Sequence, residues 1–273
     1  MFLVLVKEVL KIYMTIPKIK VKISDIEFNT QSVAELLYDD FSEKNKTLPF
    51  KKRVFNAFPQ LATAMMNGMT NAEIYNVVKR MMYKEYEKYA DEMEKRRMEL
   101  LSKFEVFQSA IIPKMLDLFE VEWPKEHQDI TCYLGLYAVF PRNVLTKEYW
   151  IHYKTAEDVV MRASIHEINH FILFEKWKAM HGYTLQDEPS YPDVLWFLEE
   201  MAVDPTLNTK EMQEVAPYPQ KAYQIFYDNS INDMPIEEHI IKLFKERKNM
   251  ADFLDRVYKF IADNYKDIIV KCG

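Results

Sequence analysis

The chain has 273 residues with 36 basic and 42 acidic side chains, a formal net charge of −6, and it is 49% hydrophobic and 29% charged, a globular composition and not a disordered one. Mild acidity without a basic block excludes a phosphate-tracking nucleic-acid binder, and four glycines exclude collagen-like and glycine-fingerprint dinucleotide-binding readings. With Cys132 and Cys272 as its two cysteines, the chain is neither a disulfide scaffold nor a CxxC zinc module.

The N-terminal apolar run stops at Val6 and is followed by Lys7 and Glu8, the reverse of a secretory leader. No stretch approaches the roughly 18 uncharged residues of a membrane span. The expectation is a soluble cytoplasmic protein with no membrane or nucleic-acid partner. In residues 16–26, Ile19, Val21 and Ile23 alternate with Lys18, Lys20 and Lys22, the period of a half-buried strand. Residues 32–119 turn helical: Ile74, Val78, Met82, Tyr86, Tyr89 and Met93 recur at steps of three and four, and Pro113 is expected to end or kink the stretch. Residues 129–140 are aromatic and β-branched and read as a strand, Pro141-Arg142-Asn143 as punctuation, and residues 148–153 as a second strand. Beyond residue 190 the pattern is helical again, broken near Pro205 and at residues 216–219. The fold expected is α+β and predominantly helical, with a mostly helical region over residues 1–120 that carries one early strand, and a second region over residues 121–273 made of a core and C-terminal helices.

The chemistry is concentrated in residues 155–182. Thr155 and Asp158 make a capping-box pattern, while Lys176, Lys178, His181 and Gly182 suit a helix C-terminus, giving a helix of about 26 residues. Ala163, His166, His170 and Phe174 form one stripe and Ile165, Ile168 and Ile172 another, so the middle of this helix belongs in the interior. His166, Glu167 and His170 are costly to bury there without partners. A zinc ion satisfies them: histidines at i and i+4 share one helix face and can reach one metal, while Glu167 lies beside the ion, placed to take a proton from bound water. His166-Glu167-Ile168-Asn169-His170 is the HExxH pattern.

The remaining ligand must come from elsewhere. Leu173 and Lys176 stand where a metzincin continuation needs glycine and histidine. His181 lies about 16 Å along the helix from His170, and Glu175 points to another side. A second helix over residues 193–204 offers Glu199 and Glu200. With Glu200-Met-Ala-Val-Asp204 as ExxxD, residues 144–204 resemble the gluzincin branch of the zincin-type metallopeptidases, the thermolysin-like group. The resemblance implies a zincin-like catalytic core, Glu200 as third zinc ligand, and Asp204 orienting a ligating histidine. It implies a zinc-dependent peptidase in which Glu167 is general base, acting on a peptide or protein substrate. It also implies a substrate-binding strand just before the active helix. Family enzymes add a tyrosine or histidine donor to the oxyanion, for which Tyr218, Tyr223, Tyr227 and His239 are the candidates, Tyr223 and His239 foremost. Adjacent helix positions point about 100° apart, so Glu199 and Glu200 cannot both face the ion; Asp204 one turn beyond Glu200 favours Glu200. A zincin-like protein serving in binding or regulation without catalysis is the alternative. The oligomeric state is open.

Overall fold

The computed structural model describes residues 16–38, 50–65, 68–182 and 185–272; the apolar run at residues 1–6 lies outside them. A four-stranded mixed sheet has the order β1 (Lys18–Ile23), β2 (Asp129–Gly135), β4 (Glu148–His152), β3 (Arg142–Asn143). The first three run parallel, and the two-residue β3 lies antiparallel along β4. Parallel neighbours need a crossover. Between β1 and β2 it contains α1 (Ile26–Glu35), α2 (Phe50–Ala57), α3 (Pro59–Ala64) and the 49-residue α4 (Asn71–Phe119).

The Ile/Lys alternation of β1 gives the sheet two unlike faces. Ile19 and Val21 are buried, and Lys18, Lys20 and Lys22 are exposed. On the outer face Lys20 pairs with Asp129 at 2.5 Å, and Trp150 stacks between Tyr133 and Phe28 of α1, with centroids 5.2 and 4.6 Å away. The inner face buries Cys132, Leu134, Tyr149 and Ile151 completely. There the Tyr149 hydroxyl donates to Ser164 Oγ at 2.9 Å, fastening the sheet to α5 (Glu157–His181).

Thr70 and Glu73 cap α4 reciprocally, and the helix packs along α1, β1 and α5. Of the two outcomes expected at Pro113, an end or a kink, the helix does not end: α4 continues through Pro113 to Phe119. The proline removes one ladder hydrogen bond, but Ile111, Ile112, Met115, Leu116 and Phe119 are buried on either side of it and hold that last stretch against the core. Because β1 pairs along its whole length with β2, the regions on either side of residue 120 share one sheet.

After α5 come α6 (Val194–Met201), α7 (Val203–Leu207), α8 (Lys210–Val215) and α9 (Gln224–Asp228). The hairpin of β5 (Ser230–Ile231) and β6 (Met234–Pro235) leads to α10 (Ile236–Lys245), α11 (Met250–Asp263) and α12 (Tyr265–Cys272). Helix α11 packs on both α5 and α6. Among the described residues no helix is long and apolar enough to cross a membrane.

Candidate metal centre

Helix α5 starts at Glu157, and the expected capping box at Thr155 is not formed; Ala156 is the N-cap and contributes no side-chain bond. The Thr155 N–H is already bonded to the His152 carbonyl in the turn after β4 at 3.0 Å, which puts Thr155 outside the helix. Arg96 of α4 donates to the Thr155 carbonyl at 2.9 Å, while Glu157 and Asp158 in the first turn complement the helix dipole. At the other end Gly182 takes the left-handed conformation, φ 63°, the geometry in which glycine ends a helix at least cost.

The middle of α5 is interior: Ile165, Ile168, Phe171, Ile172 and Leu173 are buried, and so are Glu167, Asn169 and His170. The Thr206 hydroxyl of α7 donates to Asn169 Oδ1 at 3.2 Å, tying α7 to α5. The rings of His166 and His170 meet edge to face with centroids 4.5 Å apart. Glu200 comes across from α6, its Oε2 3.5 Å from His166 Nε2 and its Oε1 3.9 Å from His170 Nε2. One ligand atom from each of His166, His170 and Glu200 lies within 4.8 Å of the others, so the three can hold a metal ion. Among the described residues His170 Nε2 and Glu200 Oε2 are buried with no hydrogen-bond partner, a costly state for polar atoms that a cation would relieve. Burial, with Arg142 and His166 nearby, holds the His170 pKa well below that of an ordinary imidazole, leaving the neutral ring that metals bind.

Two further residues adjoin this group: Arg142, which the sequence pattern marks only as turn punctuation, and Glu199, the alternative to Glu200 as ligand. Arg142 of β3 reaches into the site and donates to Glu199 through Nη2 and to Glu200 through Nη1, the latter at 3.3 Å. Its Nε lies 3.2 Å from Glu188 and 3.9 Å from Glu167. Glu199, fully buried, has Oε2 3.3 Å from His170 Nδ1, close but not aligned as a hydrogen bond. Burial pushes the Glu199 carboxyl well above the usual range against the pull of Arg142; burial acts the same way on Glu200, but His166 and Arg142 outweigh it and hold Glu200 low. Burial also raises Glu167 to about 7, against the opposing pull of His166 and Arg142.

The other expected residues divide. Asp204 does not reach a histidine: it accepts from the Tyr227 hydroxyl and from Asn208 Nδ2. The helix is interrupted at Ala202, so that Pro205 falls in the first turn of α7, where its missing N–H costs nothing, and Asp204 no longer follows Glu200 on one unbroken face. It is Glu199 that faces His170. Tyr223 lines the same cleft as His166, Glu167 and Glu200. It is brought there by Gln220, whose side chain donates to the Arg162 carbonyl at 3.1 Å and whose N–H donates to Asn208 Oδ1 at 3.0 Å. Glu200 and burial raise its hydroxyl pKa, keeping it a donor. His239 is not at the centre. Buried Ile236, Ile240 and Phe244 orient α10, and His239 turns its Nε2 to the Ile231 carbonyl at 2.8 Å beside Phe260. Tyr218 packs against the hydrophobic core.

The centre opens on a cleft of about 580 Å³ whose apolar wall includes Leu36, Phe50, Val139 and Phe140. Compared with protein-family models, with curated proteins and with solved structures, the chain matches none.

Proposed function

We propose that the chain is a zinc-dependent metallopeptidase with a zincin-like core. The observation that carries the reading is the convergence of His166, His170 and Glu200 with Glu167 beside them on one cleft. Two imidazoles and a carboxylate are the protein ligands of an open catalytic zinc site, and these three residues would hold the ion. Bound there, zinc supplies a Lewis acid that brings the pKa of a water toward about 7 and polarises a carbonyl.

The chain's own groups do the rest. Glu167 accepts the proton of the attacking water at its carboxylate and returns it to the leaving amine nitrogen. The Tyr223 hydroxyl donates to the carbonyl oxygen as negative charge develops on it. Glu199 faces His170 Nδ1 and steadies that ring, and Arg142 fixes the relative positions of Glu199 and Glu200. The test compares wild type with Glu167→Gln on a broad peptide library, with zinc content measured in both. The expected result is about one zinc per chain in each and a 10²–10⁴-fold loss of hydrolysis in the variant. A fully zinc-loaded wild type that cleaves nothing overturns the reading in favour of a binding or regulatory role.

A further inference from the structure

We propose that the cleft selects peptides carrying a large apolar side chain next to an acidic one, the acid lying about two residues from the scissile bond and held by Arg53 and Arg162. The inference rests on the peptidase reading and extends it to substrate class.

Within the 580 Å³ of the cleft a few extended residues fit. Its apolar wall is assembled from three separate parts of the chain: Leu36 and Phe50 from the segments around α1 and α2, Val139 and Phe140 from the loop after β2, and Val159 from the first turn of α5. A wall of this kind rewards a large apolar side chain, whose full burial favours binding by about 10- to 100-fold.

The charges around it are one-sided. Among the described residues, beyond Glu167 and Glu200, which belong to the centre, the charged lining consists of Arg53, Arg142 and Arg162. Arg142 is taken up by four carboxylates. Arg53 lies 5.6 Å over the Phe50 ring and has no carboxylate partner among the described residues. The Arg162 side chain is 48% exposed and its one carboxylate partner among the described residues is Asp158, itself 63% exposed, at 3.5 Å, a solvent pair too weak to neutralise it. The chain as a whole carries −6, so a cationic mouth is a local contrast and not an overall bias. Arg162 precedes His166 by one helical turn, about 6 Å along α5, which is about two residues of an extended peptide. Arg53 approaches from the α2 side and lines the same cleft as Tyr223.

The experiment uses zinc-loaded wild-type protein and peptides in which positions flanking the cleaved bond carry glutamate, glutamine or lysine beside a fixed leucine or phenylalanine. Glutamate two residues from the bond is expected to raise kcat/KM over lysine by about 3- to 10-fold at low salt, the difference shrinking at high ionic strength. Arg53→Gln and Arg162→Gln each reduce the preference, and the double Arg53→Glu, Arg162→Glu variant reverses it. Zinc content and melting temperature, measured alongside, show that each variant is folded. A second readout needs no turnover: fluorescently labelled peptides titrated into Glu167→Gln protein bind in the same order of charge. Equal rates for glutamate and lysine peptides, or a preference that survives double reversal, overturn the inference while leaving the peptidase reading in place. Charge-ordered binding without any hydrolysis by wild type does the opposite: it supports the selectivity and removes the peptidase.

Discussion

Arg142→Gln removes the positive charge set among Glu167, Glu188, Glu199 and Glu200. The guanidinium side chain is 13% exposed, that of Glu199 is 0% and that of Glu200 2%, so water does little of the compensating. A unit pair about 4 Å apart at an effective dielectric of about 20 interacts by roughly 4 kcal/mol, and stripping one partner from a buried pair costs about 3–5 kcal/mol. The carboxylates limit the loss by taking up protons, which burial already favours at Glu199 and Glu167, so the lower end, about 3 kcal/mol at neutral pH, is expected. In a chain of this size that is a fall of about 6–12 °C in the Tm of the metal-free protein. Loss of the arginine raises these carboxyl pKa values further in the folded state and leaves the unfolded ones near 4.5. The variant's deficit is therefore small at low pH and grows as pH rises above that value. On the proposed reading zinc would return positive charge to the same place, so zinc should raise the Tm of the variant by more than that of wild type. Calorimetry of chelator-treated and zinc-loaded protein at pH 5 and pH 8 measures all of this. A metal-free variant that melts within about 2 °C of wild type at pH 8 refutes the electrostatic account.

The ligand assignment is tested by zinc titration of Glu200→Gln and Glu199→Gln. The first should nearly abolish binding and the second should weaken it about 10- to 100-fold through the freed His170 ring, and the reverse order would make Glu199 the ligand. Asp204→Asn should leave zinc affinity within about 2-fold but lower stability by about 1–3 kcal/mol through its bonds to Tyr227 and Asn208; lost zinc affinity would return Asp204 to the site. Glu237 of α10 is fully buried, both its oxygens lack hydrogen-bond partners among the described residues, and burial with Asp204 nearby raises its pKa to about 9. A raised folded-state pKa contributes stability that is complete below about 4.5 and is lost as pH climbs toward 9, at up to about 1.4 kcal/mol per pH unit. Urea midpoints should therefore show Glu237→Gln gaining on wild type from pH 5 to pH 9, and parallel curves would sink the assignment.

What could be foreseen in this molecule is what is local. The strand period of β1 and the stripes and C-terminal glycine of α5 each depend on neighbours within a few positions, and β1 and α5 fold as those neighbours dictate. Asp204 marks the limit of spacing arguments: i to i+4 means one face only on a continuous helix, and the interruption at Ala202 hands Asp204 to Tyr227 and leaves Glu199 opposite His170. Tyr223 and His239 are equally plausible donors by residue type. They are separated by the long-range bonds of Gln220 to Asn208 and Arg162 and by the apolar face of α10, neither of which is marked in the local pattern. Arg142 hides inside what looks like turn punctuation, yet its presence follows from charge. Three buried glutamates, Glu167, Glu199 and Glu200, exceed a bound dication by one negative charge, and an uncompensated buried charge is too costly to persist. Either one carboxyl keeps a proton or a further cation joins the site. The fold does some of each, with Arg142 supplying the charge and burial raising Glu199 and Glu167. The nearer a site's charges come to balancing only with a metal, the more its stability depends on that metal; under the proposed zinc reading, the Arg142 charge sets how much stability the metal-free protein keeps.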